Sequence, residues 1–369
     1  MTRLIPYDVS GPGYRDALAA AVDGGGPALA PFTGTAPMLP DEVPDGTALV
    51  VSTSGSTGTP KRAILSRDNL IASADATHER LGGPGVWLLP MPAQHIAGTQ
   101  VLVRSIRAGT QPIVLERWSE AEFVAATGGL DGPRRYTAIV PTQLRRLLAD
   151  DAGRSALLSF DGVLIGGAAT DPRLLAEALD AGVRALTTYG MSETAGGCVY
   201  DGIPLRDTTI GLDDGQIVLR GPTIAQGYLG DPERTAAAFE DGPPRGFRTG
   251  DLGEFGTDGR LRVLGRADDL IITGGLKVAP RVVEEAARTL EGVHEACALG
   301  LPDDEWGHAV GLAVVADHPW TTAAARAALR DQLPAYALPR RLLNLAALPL
   351  RGPGKPDRRA LAAATGWQT

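Results

Sequence analysis

Six short apolar runs recur through the first half of the chain: Ala48–Ser52, Val86–Leu89, Gln111–Leu115, Tyr136–Val140, Gly162–Ile165 and Ala185–Tyr189. Runs this short, rich in branched residues and bounded by glycine, proline or polar positions, predict strands covered on both faces. Between them the apolar positions fall into helical spacing over Asp68–Leu81, Thr142–Ala149 and Pro172–Ala181. Strand and helix in alternation predict a parallel sheet with helices on its faces, and ligands of such sheets sit at the carboxyl ends of the strands. After Gly215 the pattern changes to short strands separated by turn residues: Gln216–Arg220, Gly227–Leu229, Phe247–Thr249, Gly253–Phe255 and Arg260–Gly265. This stretch reads as a small β subdomain. From about Ala267 a separate α/β unit begins, its first helix opening at Pro280, a residue suited to the first helical turn, and running through Glu284, Glu285 and Arg288. The expected architecture is therefore α/β: a large N-terminal domain over 1–266, of parallel α/β layers plus the small β subdomain, then a small C-terminal domain over 267–369.

Directly after the first apolar run, residues 52–61 read Ser-Thr-Ser-Gly-Ser-Thr-Gly-Thr-Pro-Lys. Glycine lets successive backbone N–H groups converge on one anion, the hydroxyls add donors, and Lys61 supplies a compact positive charge. The order is not that of the common nucleotide P-loop, since Arg62 rather than a hydroxyl follows the lysine. A Ser/Thr/Gly-rich surface turn has the same composition. Its setting favours phosphate, because a strand enters and a helix capped at Ser66 is expected to leave.

Composition narrows the class. With 369 residues the chain is long enough for two or three domains. Charged residues at 21% and hydrophobic ones at 44% are ordinary for a globular enzyme, and the net charge of −8 argues against a general nucleic-acid binder. No run approaches eighteen uncharged apolar residues, so no membrane insertion is expected, and the first residues lack a signal-like apolar stretch. Cys198 and Cys297 lie far apart without metal-ligand spacing and read as buried small residues in a reducing cytoplasm. The histidines show no close-set zinc pattern, and no nucleophile elbow supports a catalytic triad.

Four further segments follow in order: Tyr189-Gly-Met-Ser-Glu-Thr194, Thr249-Gly-Asp251, Gly265-Arg-Ala-Asp-Asp269 and Gly352-Pro-Gly-Lys-Pro-Asp-Arg-Arg359. With the loop at 52–61 they resemble the signatures of the adenylate-forming acyl- and aryl-CoA ligase superfamily over residues 49–359. That resemblance implies activation of a carboxylic acid by ATP, with Mg²⁺ and CoA. It places Thr53, Ser54, Ser56, Thr57 and Lys61 on the β- and γ-phosphates, Glu193 on Mg²⁺, Tyr189 and Gly167 at the adenine, Asp251 on both ribose hydroxyls and Arg266 on nearby ribose or phosphate oxygens. Gly166, Gly190, Ser192 and Thr194 would border the acid. Lys355 would reach the α-phosphate and carboxylate during adenylation, Asp268 would be the hinge on which the C-terminal domain moves, and Gly274-Gly275 would face the pantetheine thiol. His95, in Pro90-Met-Pro-Ala-Gln-His-Ile-Ala-Gly98, occupies the place of the family's gate beside the acyl pocket. Plainer roles stay open for several of these: a helix-terminal carboxylate for Glu193, a turn aspartate for Asp251, a tight βα turn for Gly166-Gly167 and a packed loop residue for His95.

Within the superfamily, Met191–Leu205 and Thr273–Pro280 are most similar to the o-succinylbenzoate–CoA ligases of menaquinone biosynthesis, which make the acyl-adenylate and then o-succinylbenzoyl-CoA. Another aryl- or acyl-CoA ligase, or an enzyme loading a carrier protein, is the alternative. A second carboxylate on the ring would need donors; Arg104, Gln100, Ser192, Thr194 and Lys277 are candidates. The partners implied are small molecules, with a homodimer allowed and a cytoplasmic setting. The sequence departs from the family pattern in having only about fifty residues before the phosphate loop, in Arg62 after the lysine, in Ser192 before the glutamate and in Thr273 in the hinge segment.

Overall fold

The computed structural model describes residues 1–53, 61–350 and 356–368 of the chain. Two compact units share them. One comprises Met1–Gly211, Val218–Thr249 and Thr257–Leu261, the other Leu212–Ile217, Gly250–Gly256 and Arg262–Thr369.

The first unit opens with β1 (Thr2–Asp8), α1 (Tyr14–Asp23), β2 (Ala28–Phe32), β3 (Glu42–Val43), β4 (Thr47–Ser52), β5 (Arg62–Ser66) and α2 (Arg67–Arg80). It continues through β6 (Val86–Leu89), α3 (Ile96–Ala108), β7 (Ile113–Val114), α4 (Glu120–Thr127), β8 (Arg135–Ile139), α5 (Pro141–Leu148), α6 (Asp151–Leu158), β9 (Gly162–Ile165), α7 (Pro172–Asp180), β10 (Ala185–Met191), β11 (Gly196–Tyr200) and β12 (Ile203–Pro204). Five of the expected strands join one seven-stranded sheet in the order β12-β11-β10-β9-β8-β6-β7. Its β7-β6-β8-β9-β10 portion is parallel throughout, and β11 and β12 close the other edge antiparallel. Leu88, Ile139, Val163 and Ile165 from this sheet bury against Phe123, Leu144, Leu147, Leu157, Phe160 and Leu174 from the helices and the turn after α6. Burial of each such side chain contributes about 1.5–3 kcal/mol, so this layer is a main source of the unit's stability.

The sixth expected strand, β4, does not belong there. It lies in a separate six-stranded sheet of order β15-β5-β4-β2-β1-β3, where β15 is Gly227–Tyr228. The chain also does not pass from the loop after β4 straight into a helix. Ala63-Ile64-Leu65, all buried, form β5 antiparallel to β4, and α2 starts only after it. Ser66 does cap that helix: its Oγ accepts the Asn69 N–H at 3.1 Å while Asn69 Oδ1 accepts the Ser66 N–H at 2.9 Å, a reciprocal capping box.

Downstream come β13 (Thr209–Asp213), β14 (Gln216–Arg220), β15, α8 (Pro232–Ala238), β16 (Phe239–Glu240), β17 (Gly246–Phe255) and β18 (Leu261–Arg266). The stretch expected as a small β subdomain contributes strands to both units: β13, β14, β17 and β18 each carry residues of both, whereas β15 joins the first unit's sheet. The two expected strands at 247–249 and 253–255 are one, β17, because Gly250 takes φ +71 within a continuous strand rather than opening a turn.

The second unit adds β19 (Ile271–Thr273), β20 (Leu276–Val278), α9 (Pro280–Ala287), β21 (Val293–Asp303), β22 (Gly307–Ala316), α10 (Thr322–Leu329), β23 (Arg341–Leu345) and α11 (Arg358–Ala362). Helix α9 begins at Pro280, as expected, and ends at Ala287 with Arg288 as its cap. In the sheet β21-β22-β23 alternate residues face opposite sides. Ala296, Ala298, Leu312 and Val314 pack with Val283, Ala287 and Leu329 on one face, while Cys297, Leu299, Ala313 and Leu343 pack with Leu361 on the other. Both cysteines are free and buried, and desolvation pushes each thiol up to about 12. The C-terminal segment is fastened to this sheet: Leu342 and Gln368 exchange backbone hydrogen bonds, Leu350 bridges Pro356, and the Asp357 N–H donates to Pro349 O at 2.7 Å.

Candidate active site

In the first unit, β4 and β5 form the neck of the expected phosphate loop. The pairing Ser52↔Arg62 continues into a hydrogen bond from the Thr53 N–H to Lys61 O at 2.8 Å, bringing Thr53 and Lys61 together. Ser54, Ser56 and Thr57 lie outside the described residues, as does Lys355.

The Tyr189 motif sits at the far end of β10. This strand runs two residues further than its apolar pattern suggests, and the register slips at Tyr189/Gly190 where it pairs with β11. The slip has a steric cause: a Cβ at Gly190 would fall inside van der Waals contact of Gly196 O and 2.7 Å from Gly197 Cα, so only glycine permits this approach. Ser192, Glu193 and Thr194 form a single 3₁₀ turn ending in a left-handed Ala195 at φ 51. Thr194, fully buried, holds the turn closed: its Oγ1 accepts the Met191 N–H at 2.9 Å and lies 2.7 Å from Gly196 O. Two helices support the turn from outside. Ser73 on α2 donates to Ala195 O at 2.9 Å, and Ile96 and Gln100 on α3 border Gly196.

Glu193 is thereby held almost out of solvent, at 8% exposure. Its Oε1 accepts a hydrogen bond from the Tyr228 hydroxyl at 2.8 Å, and its backbone carbonyl accepts the Ala225 N–H at 2.9 Å. The ring of the same tyrosine lies under Lys61, whose Nζ is 5.2 Å from the ring centroid. Tyr228 is absent from the residues expected above, although a strand was expected around it. What sequence does not reveal is the pairing of β15 with β5, which sets Tyr228 opposite Ala63. As a metal site, Glu193 is a lone carboxylate: among the described residues no group of three or more His, Cys, Asp or Glu residues could hold an ion. One carboxylate fits Mg²⁺ that arrives with a triphosphate and keeps its remaining positions for phosphate oxygens and water.

The other first-unit candidates are distributed around strand ends of the same sheet. Gly166 follows β9 and can carry no side chain, because its Cβ would collide with Thr188 Oγ1; Gly167, at φ +78, is exposed. Tyr189 is half-buried. His95 caps α3 without a side-chain hydrogen bond, and Gly98 lets the helix press against Pro92 and Ala93. The residue is exposed overall, yet desolvation by the protein around its ring holds the imidazole below its ordinary value. Of the donors considered for a second carboxylate, Gln100 and Arg104 are core residues. Arg104 is 4% exposed, its guanidinium 5.1 Å from the Trp87 ring and 3.4 Å from the Tyr200 hydroxyl. Lys277 belongs to the second unit, where it pairs with Asp214 at 3.3 Å.

The remaining candidates are in the second unit. Asp251, 9% exposed, meets Arg266 with Nη1 at 3.2 Å from Oδ1, and the other end of that guanidinium lies 3.6 Å from Asp268. A Cβ at Gly250 would approach Arg266 to 3.1 Å, so the glycine gives the arginine its path. Gly274 and Gly275 both have left-handed backbones, at φ +56 and +79, in the β19–β20 turn. Gly274 donates its N–H to Trp306 O at 2.9 Å and lies against the indole, while Ile272 and Leu276 flank the turn with exposed apolar side chains.

Residues 14–229 match the AMP-binding enzyme family and residues 282–355 the AMP-binding enzyme C-terminal domain. The chain is 45% identical over 330 residues to a probable 2-succinylbenzoate–CoA ligase of Mycobacterium tuberculosis, covering 87% of this chain and 85% of that one. It is 33% identical over 332 residues to the 2-succinylbenzoate–CoA ligase of Listeria monocytogenes, covering 85% and 69%. Its fold is similar to that of the o-succinylbenzoate CoA synthetase of Bacillus subtilis solved with its acyl-adenylate intermediate: TM-score 0.77 at 24% identity, over 99% of this chain and 84% of that one.

Proposed function

Because the chain belongs to the AMP-binding enzyme family, we propose that it activates o-succinylbenzoate with ATP and passes the acyl group to CoA, the ligase step of menaquinone biosynthesis. The choice of acid is supported by the 45% identity to the Mycobacterium ligase across 87% of the chain. In the first half-reaction a carboxylate oxygen of the substrate attacks the α-phosphorus, the bond from that phosphorus to the α,β-bridging oxygen breaks, and pyrophosphate leaves. In the second, the CoA sulfur attacks the acyl carbon, AMP leaves with the bonding pair, and the thiol proton is lost to solvent.

Each described residue has a task that suits its surroundings. Thr53 and Lys61, at the neck of the loop, meet the leaving phosphates together with Ser54, Ser56 and Thr57. Glu193 is the acid that receives Mg²⁺. When bound, the ion neutralises charge on the phosphate oxygens and helps to hold them in line. Tyr189, Gly166 and Gly167 border the adenine and acyl group, with Gly190, Ser192, Thr194 and His95 on the acid's side. Asp251 accepts the ribose hydroxyls through its two oxygens, steadied by Arg266. Lys355 supplies positive charge to the α-phosphate and carboxylate, Asp268 is the pivot between half-reactions for a domain beginning near residue 267, and Gly274-Gly275 leave a lane for pantetheine. All the substrates are water-soluble, and among the described residues no helix is long and apolar enough to cross a membrane. The cytoplasm is the proposed setting.

The test is AMP release with ATP, Mg²⁺ and CoA over o-succinylbenzoate, benzoate, salicylate and a medium-chain fatty acid, with product masses checked. Preference for o-succinylbenzoate with a CoA thioester as product is expected. Turnover of another acid, or adenylate without thioester, overturns the assignment while leaving the adenylating chemistry intact.

A further inference from the structure

We infer that Tyr228 is a positioning residue that fixes the metal-binding acid and the phosphate-binding lysine against one another. The inference rests on the reading of Glu193 and Lys61 given above. Tyr228 sits on a two-residue strand whose partner is fixed: Gly227 pairs with Ile64 and Tyr228 with Ala63. Backbone bonds from the Gln226 N–H to Ile64 O and from the Leu229 N–H to Arg62 O, both 2.8 Å, bracket that pairing. Side chains opposite one another share a face of the sheet, and a residue two positions along the partner strand is the diagonal neighbour on that face. Lys61 stands two residues before Ala63, so the register itself sets its ammonium over the Tyr228 ring.

The hydroxyl end does separate work. It donates to Glu193 Oε1 at 2.8 Å, while among the described residues Oε2 has no hydrogen-bond partner. A buried carboxylate with one oxygen tied and the other open is confined to a narrow range of orientations, which is what a monodentate ligand to an incoming cation needs. The donor is a hydroxyl and not a cation, so it brings no positive charge that would oppose the ion. The tyrosine is itself 5% exposed, its N–H donates to Thr235 Oγ1 at 2.9 Å, and its ring packs edge-on against Phe239 at a centroid distance of 5.3 Å. It has little freedom to follow a carboxylate that moves.

The two ends can be removed one at a time. Tyr228→Phe keeps the ring beneath Lys61 and deletes the bond to Glu193; Tyr228→Leu deletes both. The experiment measures calorimetric affinity for α,β-methylene-ATP, which cannot be adenylated, across a Mg²⁺ series, beside adenylation kinetics and thermal melting. In Tyr228→Phe the Mg²⁺ half-saturation is expected to rise about tenfold, the scale of losing an outer-shell partner, with nucleotide affinity at saturating Mg²⁺ nearly unchanged. Tyr228→Leu should add a loss of about threefold in nucleotide affinity at saturating Mg²⁺, the scale of one cation–π contact. Glu193→Gln serves as the reference. If it raises the Mg²⁺ requirement and Tyr228→Phe, folded by its melting curve, does not, the inference fails while the assignment of Glu193 stands. If Glu193→Gln leaves the requirement unchanged, the assignment of Glu193 fails, and the inference with it.

Discussion

Glu193 in the first unit and Asp251 in the second are buried to nearly the same degree, 8% and 9% exposed, yet they are held by opposite means. Glu193 leans on a neutral hydroxyl, and Asp251 on a guanidinium at 3.2 Å. Burying a carboxylate costs several kcal/mol unless it is paired or hydrogen-bonded. A neutral donor relieves part of that cost and leaves a net negative charge in place; an arginine cancels the charge and leaves polarised lone pairs. The first arrangement is ready for a cation, the second for hydroxyl groups. The partner, more than the acid, sets apart the two proposed roles, one towards a metal ion and one towards a ribose.

The contrast can be broken most severely at Glu193. Glu193→Gln keeps the acceptor for Tyr228 but removes the charge, and adenylation by rapid-quench pyrophosphate release should fall roughly 10²- to 10³-fold. Next in size is Gly190→Ala. It forces the bulge at the end of β10 to open against Gly196 and should cost about 3 kcal/mol, read as a lower Tm with loss of adenylation; Asp251, in the other unit, is untouched.

A third test sharpens the comparison through acid. His78, in the first unit, is 7% exposed beside Arg104, and desolvation followed by that guanidinium lowers its pKa to about 4. A histidine whose folded value lies below its ordinary 6.5 binds fewer protons when folded, so its contribution is intact above 6.5 and is lost as pH falls towards 4. The loss should reach ~2–3 kcal/mol across that window, and His78→Gln should flatten the dependence in melts followed by fluorescence. The smallest effect is expected at the proposed ribose contact, Asp251. Asp251→Asn should raise the KM for ATP about tenfold while the relative preference among carboxylic acids changes little, since one charge-assisted hydrogen bond to the nucleotide is at stake there.

The strands at Val86–Leu89 and Gly162–Ile165 and the start of α9 at Pro280 were legible because each rests on a local signal: an uninterrupted apolar run or a proline that fits only the first helical turn. The hairpin β4–β5 was not. Arg62–Ser66 is too short to show periodicity, and its strand character depends on a partner already present in the sheet. The continuity of β17 was hidden for a related reason, since Thr249-Gly250-Asp251 has the composition of a turn, whereas the glycine answers to a φ of +71 inside the strand and to the path of Arg266 beside it. At the candidate site, the loop, the glutamate and the aspartate could be nominated from spacing and resemblance. Tyr228 could not, because its role arises from a register between residues 63 and 228 that no local window contains.

The fastening of the C-terminal segment bears on how the end of the chain comes loose from the second unit. Leu350 and Pro356 are bridged, Asp357 is tied to Pro349, and Arg358 grips Glu284 at 2.8 Å and Ala298 O at 3.1 Å. Helix α11 therefore cannot peel off residue by residue: the Arg358 pair, the Asp357 bond and the Leu350–Pro356 bridge must be given up together. In hydrogen exchange the amides of Asp357 and Gln368 should accordingly open with the sheet β21-β22-β23 and not ahead of it.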